Sequence, residues 1–391
     1  MIASLLPGLQ ADAVASDKSY SQSITPVKSD SKAKEEFNLQ VTVQKTVDLY
    51  SKENNDTAIL LLLSKDGKTY KASAGLADRK RKKEVQTDDL FEIGSASKVF
   101  TGIAIFQLIE AGKLSLDTKL NTLYKEGEIT RLANYKRKNY WDEVTVGMLL
   151  RHRSGFIDYL NVYGDDAKAL DILGGEGKRY TFEQLIHQAV SFGDANFKPG
   201  EKYKYCNTGF IILGDIISKV SGMDWHDYIQ KNIFDKAGLS RTYFGSRIPL
   251  ELRAAMPKGA MHFKPTFMPP SLADSAGEII SNLDDLARLI KAWSTGKLYQ
   301  KPETLTIQLE RGFSLKNDKI SNLYYGYAIM KIDGFYGHGG QTFGFQSYMT
   351  INPQNGDIYI VGVNDSLVGS MDLFMQLAGV EYNTTTLRIS H

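Results

Sequence analysis

The chain of 391 residues has one cysteine, Cys206, so no internal disulfide can form. Histidine is scarce as well. The six are His152, His187, His226, His262, His338 and His391, and none stands at a spacing that gathers metal ligands. No run of 18 or more apolar residues occurs, so no transmembrane helix is indicated. A large excess of charge of one sign is also missing: the formal net charge is +2, which points to no nucleic-acid partner. The basic run Arg79-Lys80-Arg81-Lys82-Lys83 is flanked by Asp78 and Glu84 and reads as a solvated loop. No phosphate loop or dinucleotide fingerprint appears, so neither metal nor cofactor is called for.

What is present suits one large domain or two lobes. Residues Met1 to Ala15 are mildly apolar and end in Ala13-Val14-Ala15, a candidate signal-peptidase site. They lack a basic start and are broken by Pro7, Gly8 and Asp12, so they read as a truncated signal peptide. Residues 16–35 are rich in Ser, Lys and Asp and read as a disordered linker, which leaves 36–391 as the folded domain. Export to a periplasm or the exterior is the expectation, with a cytoplasmic location left open. Helical spacing over 36–51, an apolar run at Thr57 to Leu63, an Asp66-Gly67 turn and a return strand at Thr69 to Ala74 follow. Helices are expected at 97–111, 181–191 and 208–220, the last ended by Gly222, and after a Ser281 cap. Tyr325 to Ile332, Phe345 to Ile351 and Asp357 to Val363 read as strands, and Met371 to Gly379 as a closing helix. The pattern predicts an α/β (α+β) chain with one antiparallel sheet flanked by helices. Both chain ends supply it, over about 36–116 and 271–391, and a mostly helical lobe spans about 117–270. A cleft between the lobes is the natural site.

The residues that can carry chemistry begin with Ser95 and Lys98, at the mouth of an almost wholly apolar helix. Three residues apart, they project from one face. Burial lowers a lysine's pKa, and the resulting amine can take a serine proton. S-x-x-K also begins at Ser29, Ser31 and Ser294, but only Ser95 opens a buried helix after a glycine. Tyr205 and Asn207 flank Cys206 and share a side if the segment is extended, which turns Cys206 to the core. A nearby ammonium would lower the Tyr205 pKa, and Asn207 offers an amide to a substrate carbonyl or to Lys98. In Tyr336-Gly337-His338-Gly339-Gly340-Gln341, glycines flank a histidine and allow close backbone approach to a ligand, or form a plain turn with a surface histidine.

Taken in order, Ser95/Lys98, Tyr205/Asn207 and His338/Gly340 resemble the serine hydrolases that include class C β-lactamases, D-alanyl-D-alanine carboxypeptidases, D-aminopeptidases and related esterases. Leu149-Leu150-Arg151-His152-Arg153-Ser154-Gly155-Phe156 and Ser281-Asn282-Leu283-Asp284 resemble that family too. Arg153 and Phe156 depart from its usual Thr and Leu, and Ala276-Gly277-Glu278 departs from its A-G-G. His338 replaces the lysine usual in class C enzymes. Tyr124 to Asp142 looks longer than usual and is expected to reshape the cleft rim. The resemblance implies an acyl-enzyme on Ser95, proton transfer by Lys98 and Tyr205, and an oxyanion hole from the Ser95 and Gln341 N–H groups. It also implies substrate contacts from Asn207, His338, Gly339, Gly340 and Gln341. The implied substrate is a small molecule or peptide, in the first place a D-aminoacyl peptide or ester of cell-wall type. A general carboxylesterase, a β-lactamase and an idle binder of cell-wall peptides or penicillins are the alternatives.

Overall fold

Strand β1 (Ile59–Lys65) is apolar on both sides because both sides are covered. Ile59, Leu61 and Leu63 pack with Val43 and Val47 of helix α1 (Ser31–Glu53) and with Leu373 and Phe374 of the closing helix at Ser370–Ala378. Leu60 and Leu62 face the other way, into a larger cluster with Phe91, Phe100, Leu286 and Leu289. Each such leucine contributes roughly 1.5–3 kcal/mol by leaving water, which fixes the strand's place in the middle of the sheet. The computed structural model describes residues 31–160, 177–310, 312–315, 320 and 322–380, with the backbone alone for 31–37. The candidate leader and most of the linker lie outside the described residues.

The other main strands are β2 (Lys68–Ala74), β3 (Phe313–Ser314), β4 (Leu323–Tyr325), β5 (Met330–Ile332), β6 (Phe335–Gln341), β7 (Gln346–Ile351) and β8 (Ile358–Val363). They form one eight-stranded sheet in the order β3-β4-β5-β6-β7-β8-β1-β2. Its pairs are antiparallel, and the joint between the chain's two ends is β1 on β8, with Leu61 opposite Val361. Asp66 and Gly67 turn β1 into β2 with φ of 51° and 76°, as a two-residue hairpin requires. Helix α2 (Ser97–Glu110) packs between the sheet and helix α3 (Asn207–Ser221), which Gly222 closes at φ 76°. Helix α4 (Leu283–Ser294) covers β7, β8 and β1, and the Ser370–Ala378 helix is α5.

Three expectations need correction. Helix α1 already includes Ser31–Glu35, inside the stretch read as linker, because Lys32-Ala33-Lys34-Glu35 are strong helix formers. Residue Ser281 ends a short strand, and the cap of α4 is Asn282, whose side chain accepts from Asp285 N. The run Tyr325 to Ile332 is no single strand. Gly326 N donates to Ile329 O at 2.8 Å, and Ala328, at φ 60°, donates its N–H to Leu150 O at 3.0 Å. The turn presses Ala328 onto Gly102 of α2, where any Cβ would come within 2.5 Å of the alanine methyl. Apolarity marked the segment as buried, and the tertiary contact chose its shape.

Candidate active site

Ser95 sits in a 3-10 turn, Gly94–Ala96, that leads into α2. Two glycines let this turn lie flush on β6. A Cβ on Gly94, which has φ 50°, would stand 2.6 Å from Gln341 N, and one on Gly340 would stand 1.8 Å from Ile93 O. Ser347 Oγ donates to the same Ile93 carbonyl at 2.7 Å. The glycine spacing read as room for a ligand is thus room for the serine's own turn. Gly339 is buried in the strand, and its carbonyl accepts from His338 Nδ1.

Lys98 is fully buried, and its Nζ lies 3.0 Å from Ser95 Oγ, 2.8 Å from Asn207 Oδ1 and 2.8 Å from Ala276 O. Burial lowers its pKa to about 7, with Asp158 pulling the other way. That makes a neutral amine accessible near neutrality, with two N–H groups and one lone pair. Ala276 O can only accept. The Asn207 oxygen is fixed as the acceptor because Asn207 Nδ2 donates to Asp158 Oδ2 at 3.0 Å. Both N–H groups are therefore committed, and the lone pair faces the one neighbour able to donate, the Ser95 hydroxyl. An amine so placed can take the hydroxyl proton as a general base. Asp158 also accepts from Asn207 N at 2.6 Å, anchoring the start of α3. Sequence reasoning missed Asp158. Its only signal was a lone carboxylate inside the apolar stretch Phe156-Ile157-Asp158-Tyr159-Leu160. The Ala276 carbonyl was missed too, since a main-chain group has no side-chain signature.

Tyr205 and Asn207 both meet Lys98, and Cys206 is buried between them, as the alternation requires. The expected lowering of the Tyr205 pKa is overturned. Burial holds the phenol well above 10, opposed by the Ser95 hydroxyl. Lys98 Nζ lies over the face of the tyrosine ring, 5.0 Å from its centroid, not beside the oxygen. Tyr205 is thus an O–H donor at neutral pH. Its Oη makes no hydrogen bond of ordinary geometry, although it is buried. His152 braces this tyrosine. The two rings lie 4.1 Å apart, and His152 Nδ1 accepts from Cys206 N at 3.1 Å.

His338 is also placed differently from expectation. It is 1% exposed, Nε2 meets Tyr325 Oη at 2.9 Å, and Nδ1 meets Gly339 O. A carbonyl only accepts, so Nδ1 carries the proton and Nε2 accepts from Tyr325. Burial first, then Lys98, lower its pKa to about 3, so it offers a substrate no charge. Its ring lies 6.3 Å from that of Tyr205, in the wall behind the tyrosine.

Ser95, Asn207 and Gln341 line a cleft together with Tyr159, Leu160, Met268, Ala273, Ala276, Gly277, Thr342 and Phe343. The lining is apolar around a few polar groups, as small-molecule sites are, and among the described residues it includes no charged side chain. None of the lining residues comes from Tyr124 to Asp142. That segment packs through Glu128–Ala133 on the helix Phe182–Ser191. Below the cleft, Glu278 is 5% exposed, and its carboxylate bridges His226 Nε2 at 2.7 Å and Ser246 N at 2.9 Å. Two residues from the Ala276 carbonyl, this tie occupies the position that departs from A-G-G. Among the described residues, no cluster of metal-ligating side chains occurs, and no helix is long and apolar enough to cross a membrane.

A serine and a buried lysine at the head of a helix, over an antiparallel sheet with a helical lobe, are the fold and site of a serine hydrolase of the β-lactamase and penicillin-binding-protein type. The chain belongs to the beta-lactamase family, whose sequence model matches residues 43–372. It is 25% identical over 357 residues to penicillin-binding protein 4 of Amycolatopsis lactamdurans, covering 86% of this chain and 88% of the relative. Penicillin-binding protein 4* of Bacillus subtilis (strain 168) is 31% identical over 173 residues, or 44% of this chain and 34% of that longer relative. In fold, the chain is similar to the D-amino acid amidase of Ochrobactrum anthropi SV3 complexed with L-phenylalanine amide. The TM-score is 0.73 at 21% identity, over 88% of this chain and 98% of the amidase. The penicillin-binding protein of Bacillus halodurans gives a TM-score of 0.67 at 24% identity, over 85% and 98% of the two chains.

Proposed function

We propose that the protein hydrolyses D-aminoacyl amides, peptides or esters through an acyl-enzyme on Ser95. The observation that carries this reading is the Lys98 lone pair held on the Ser95 hydroxyl at the floor of an apolar cleft. Ser95 Oγ attacks the carbonyl carbon as its proton passes to Lys98 Nζ. The backbone N–H groups of Ser95 and Gln341, both residues of the cleft wall, receive the oxyanion. The tetrahedral intermediate collapses by breaking the bond to the leaving group, which takes a proton from the Tyr205 hydroxyl. That hydroxyl recovers its proton from Lys98 through an intervening water, since the two are not in direct contact. Water then repeats the sequence on the acyl-enzyme and frees Ser95. Asn207 holds Lys98 in register, and Asp158 holds Asn207.

A second reading, a general carboxylesterase, draws on the absence of any charged side chain in the described lining. A free carboxylate, as at the end of a D-Ala-D-Ala peptide, finds no cation there, and His338 is neutral. Within the first reading, amides and esters are therefore favoured over carboxypeptidase substrates and β-lactams. The test is a panel of D-aminoacyl amides, p-nitrophenyl esters, D-Ala-D-Ala peptides and nitrocefin, with fluorophosphonate labelling of wild type and Ser95→Ala. Single-adduct labelling lost in a folded Ser95→Ala protein, with D-aminoacyl amides preferred, is the expected result. Equal turnover of simple esters of either hand shifts the assignment to the carboxylesterase. Labelling that persists without Ser95 removes the mechanism.

A further inference from the structure

The basic run at 79–83, which the site leaves unused, meets the hairpin at 260–265 on one face. Arg79 lies 5.3 Å from the centroid of the Phe263 ring, and Lys83 Nζ donates to Ala255 O at 3.3 Å. Lys258 N donates to Ala77 O at 2.7 Å. Lys80, Arg81, Lys82, Lys83, Lys258, His262 and Lys264 are all exposed. The neighbouring acids are fewer: Asp78, 3.9 Å from Arg81, exposed Asp56, Glu84 and Glu251, and buried Asp365.

Two bulky apolar side chains stand beside these cations, Phe263 at 40% and Leu367 at 41% exposure. They are held there by a single carboxylate. Asp365, only 1% exposed, accepts from Phe263 N at 2.8 Å and from Leu367 N at 3.0 Å. The hairpin turn places His262 and Phe263 at φ 49° and 63°, where Asn or Gly is the ordinary choice and a bulky ring is disfavoured. Neither local conformation nor contact with water favours phenylalanine at this position.

We propose that this face docks on an anionic lipid surface. The lysines and arginines lie against headgroup phosphates while Phe263 and Leu367 enter the boundary between headgroups and acyl chains. A polyanion with no apolar part would satisfy the cations and leave both apolar side chains in water, which is why the lipid is the favoured occupant. The geometry also ties the face to the cleft. Ser366, between Asp365 and Leu367, accepts through its carbonyl from Gln341 Nε2 at 2.8 Å, and Gln341 lines the cleft. A docked molecule would carry Ser95 close to the bilayer.

Flotation of the full chain with vesicles of phosphatidylcholine alone, or mixed with phosphatidylglycerol, tests this. Binding to the anionic vesicles should exceed that to neutral ones by on the order of tenfold and fall as salt rises. The triple variant Lys80→Glu, Lys82→Glu, Lys264→Glu should lose that preference. Phe263→Asn suits the turn's conformation and should bind anionic vesicles several-fold more weakly while hydrolysing a soluble ester at the wild-type rate. Equal binding of wild type to both vesicles overturns the proposal. So does undiminished binding by Phe263→Asn, and so does retention on poly(glycerol phosphate) beads as strong as on anionic vesicles.

Discussion

Replacing Lys98 by methionine tests the electrostatics of the site without relying on a substrate. Inside the fold the amine has a pKa of about 7, against an ordinary 10.5, because it is fully buried. That displacement corresponds to roughly 5 kcal/mol of opposition to the charged form. A depressed pKa has a definite sign in linkage. Between the folded and unfolded values the unfolded chain binds more protons, so stability rises with pH across that window and is lost as pH falls through about 7. Integrated from about pH 6 to pH 9, the gain is about 2.5 kcal/mol. Lys98→Met lacks it. The hydrogen bonds that the variant forfeits at Asn207 and Ala276 shift its whole curve by a nearly constant amount, so the difference in slope isolates the ionisation. Urea unfolding of both proteins at several pH values, read as ΔG of unfolding, should show the wild type gaining on the variant by that amount. Parallel curves would mean that Lys98 is not held near neutrality, and the account of Ser95 activation would fall with it. In the wild type, the acylation rate on a neutral ester should rise through the same region with a slope of one proton.

Further outcomes follow from single contacts. Tyr205→Phe and Lys98→Met should each slow acylation by orders of magnitude, with a double variant hardly slower than the worse single one; multiplicative losses would separate the two residues. Gly340→Ala pushes a methyl into Ile93 O, so it should lower stability by about 1–3 kcal/mol and activity with it, as thermal melts and ester assays would show; an unaltered enzyme would contradict the tight seating of the Ser95 turn. For His226, burial opposes the charge, but Glu278 and Asp224 outweigh it and raise the pKa. Its contribution is present below its ordinary 6.5 and lost as pH rises through the raised value, so the wild type should lose ground to His226→Gln on that side. Ground gained there would reverse the sign of the interaction.

The apolar runs made the sheet legible, since β1, β7 and β8 alternate into two covered faces or fill both. The meeting of Ser95, Lys98 and Asn207 was legible because it follows from spacing and from which side of an element they share. His338 and Tyr205 were legible as members of the site but not in their protonation. That depends on Tyr325, Gly339 and the depth of burial, none of which is local in sequence. Asp158 was hidden for the same reason, because its value lies in reaching Asn207 across a distance in sequence of 49. Glu278 was visible only as an oddity until His226 and Ser246 were seen to hold it.

The seating of the Ser95 turn on β6 has a consequence for the order in which the molecule becomes competent. The bond from Ser347 Oγ to Ile93 O spans a sequence separation of 254, and β1 finds its inner neighbour only in β8. During synthesis the serine and its helix leave the ribosome long before the strands that seat them. Such distant pairings form late and slowly, because loop closure must come before any contact rewards it. The nascent chain therefore carries Ser95 for most of its synthesis without the β6 floor beneath it or Gln341 beside it. The geometry that the proposed hydrolysis needs arrives with the last strands, as a clock set by topology.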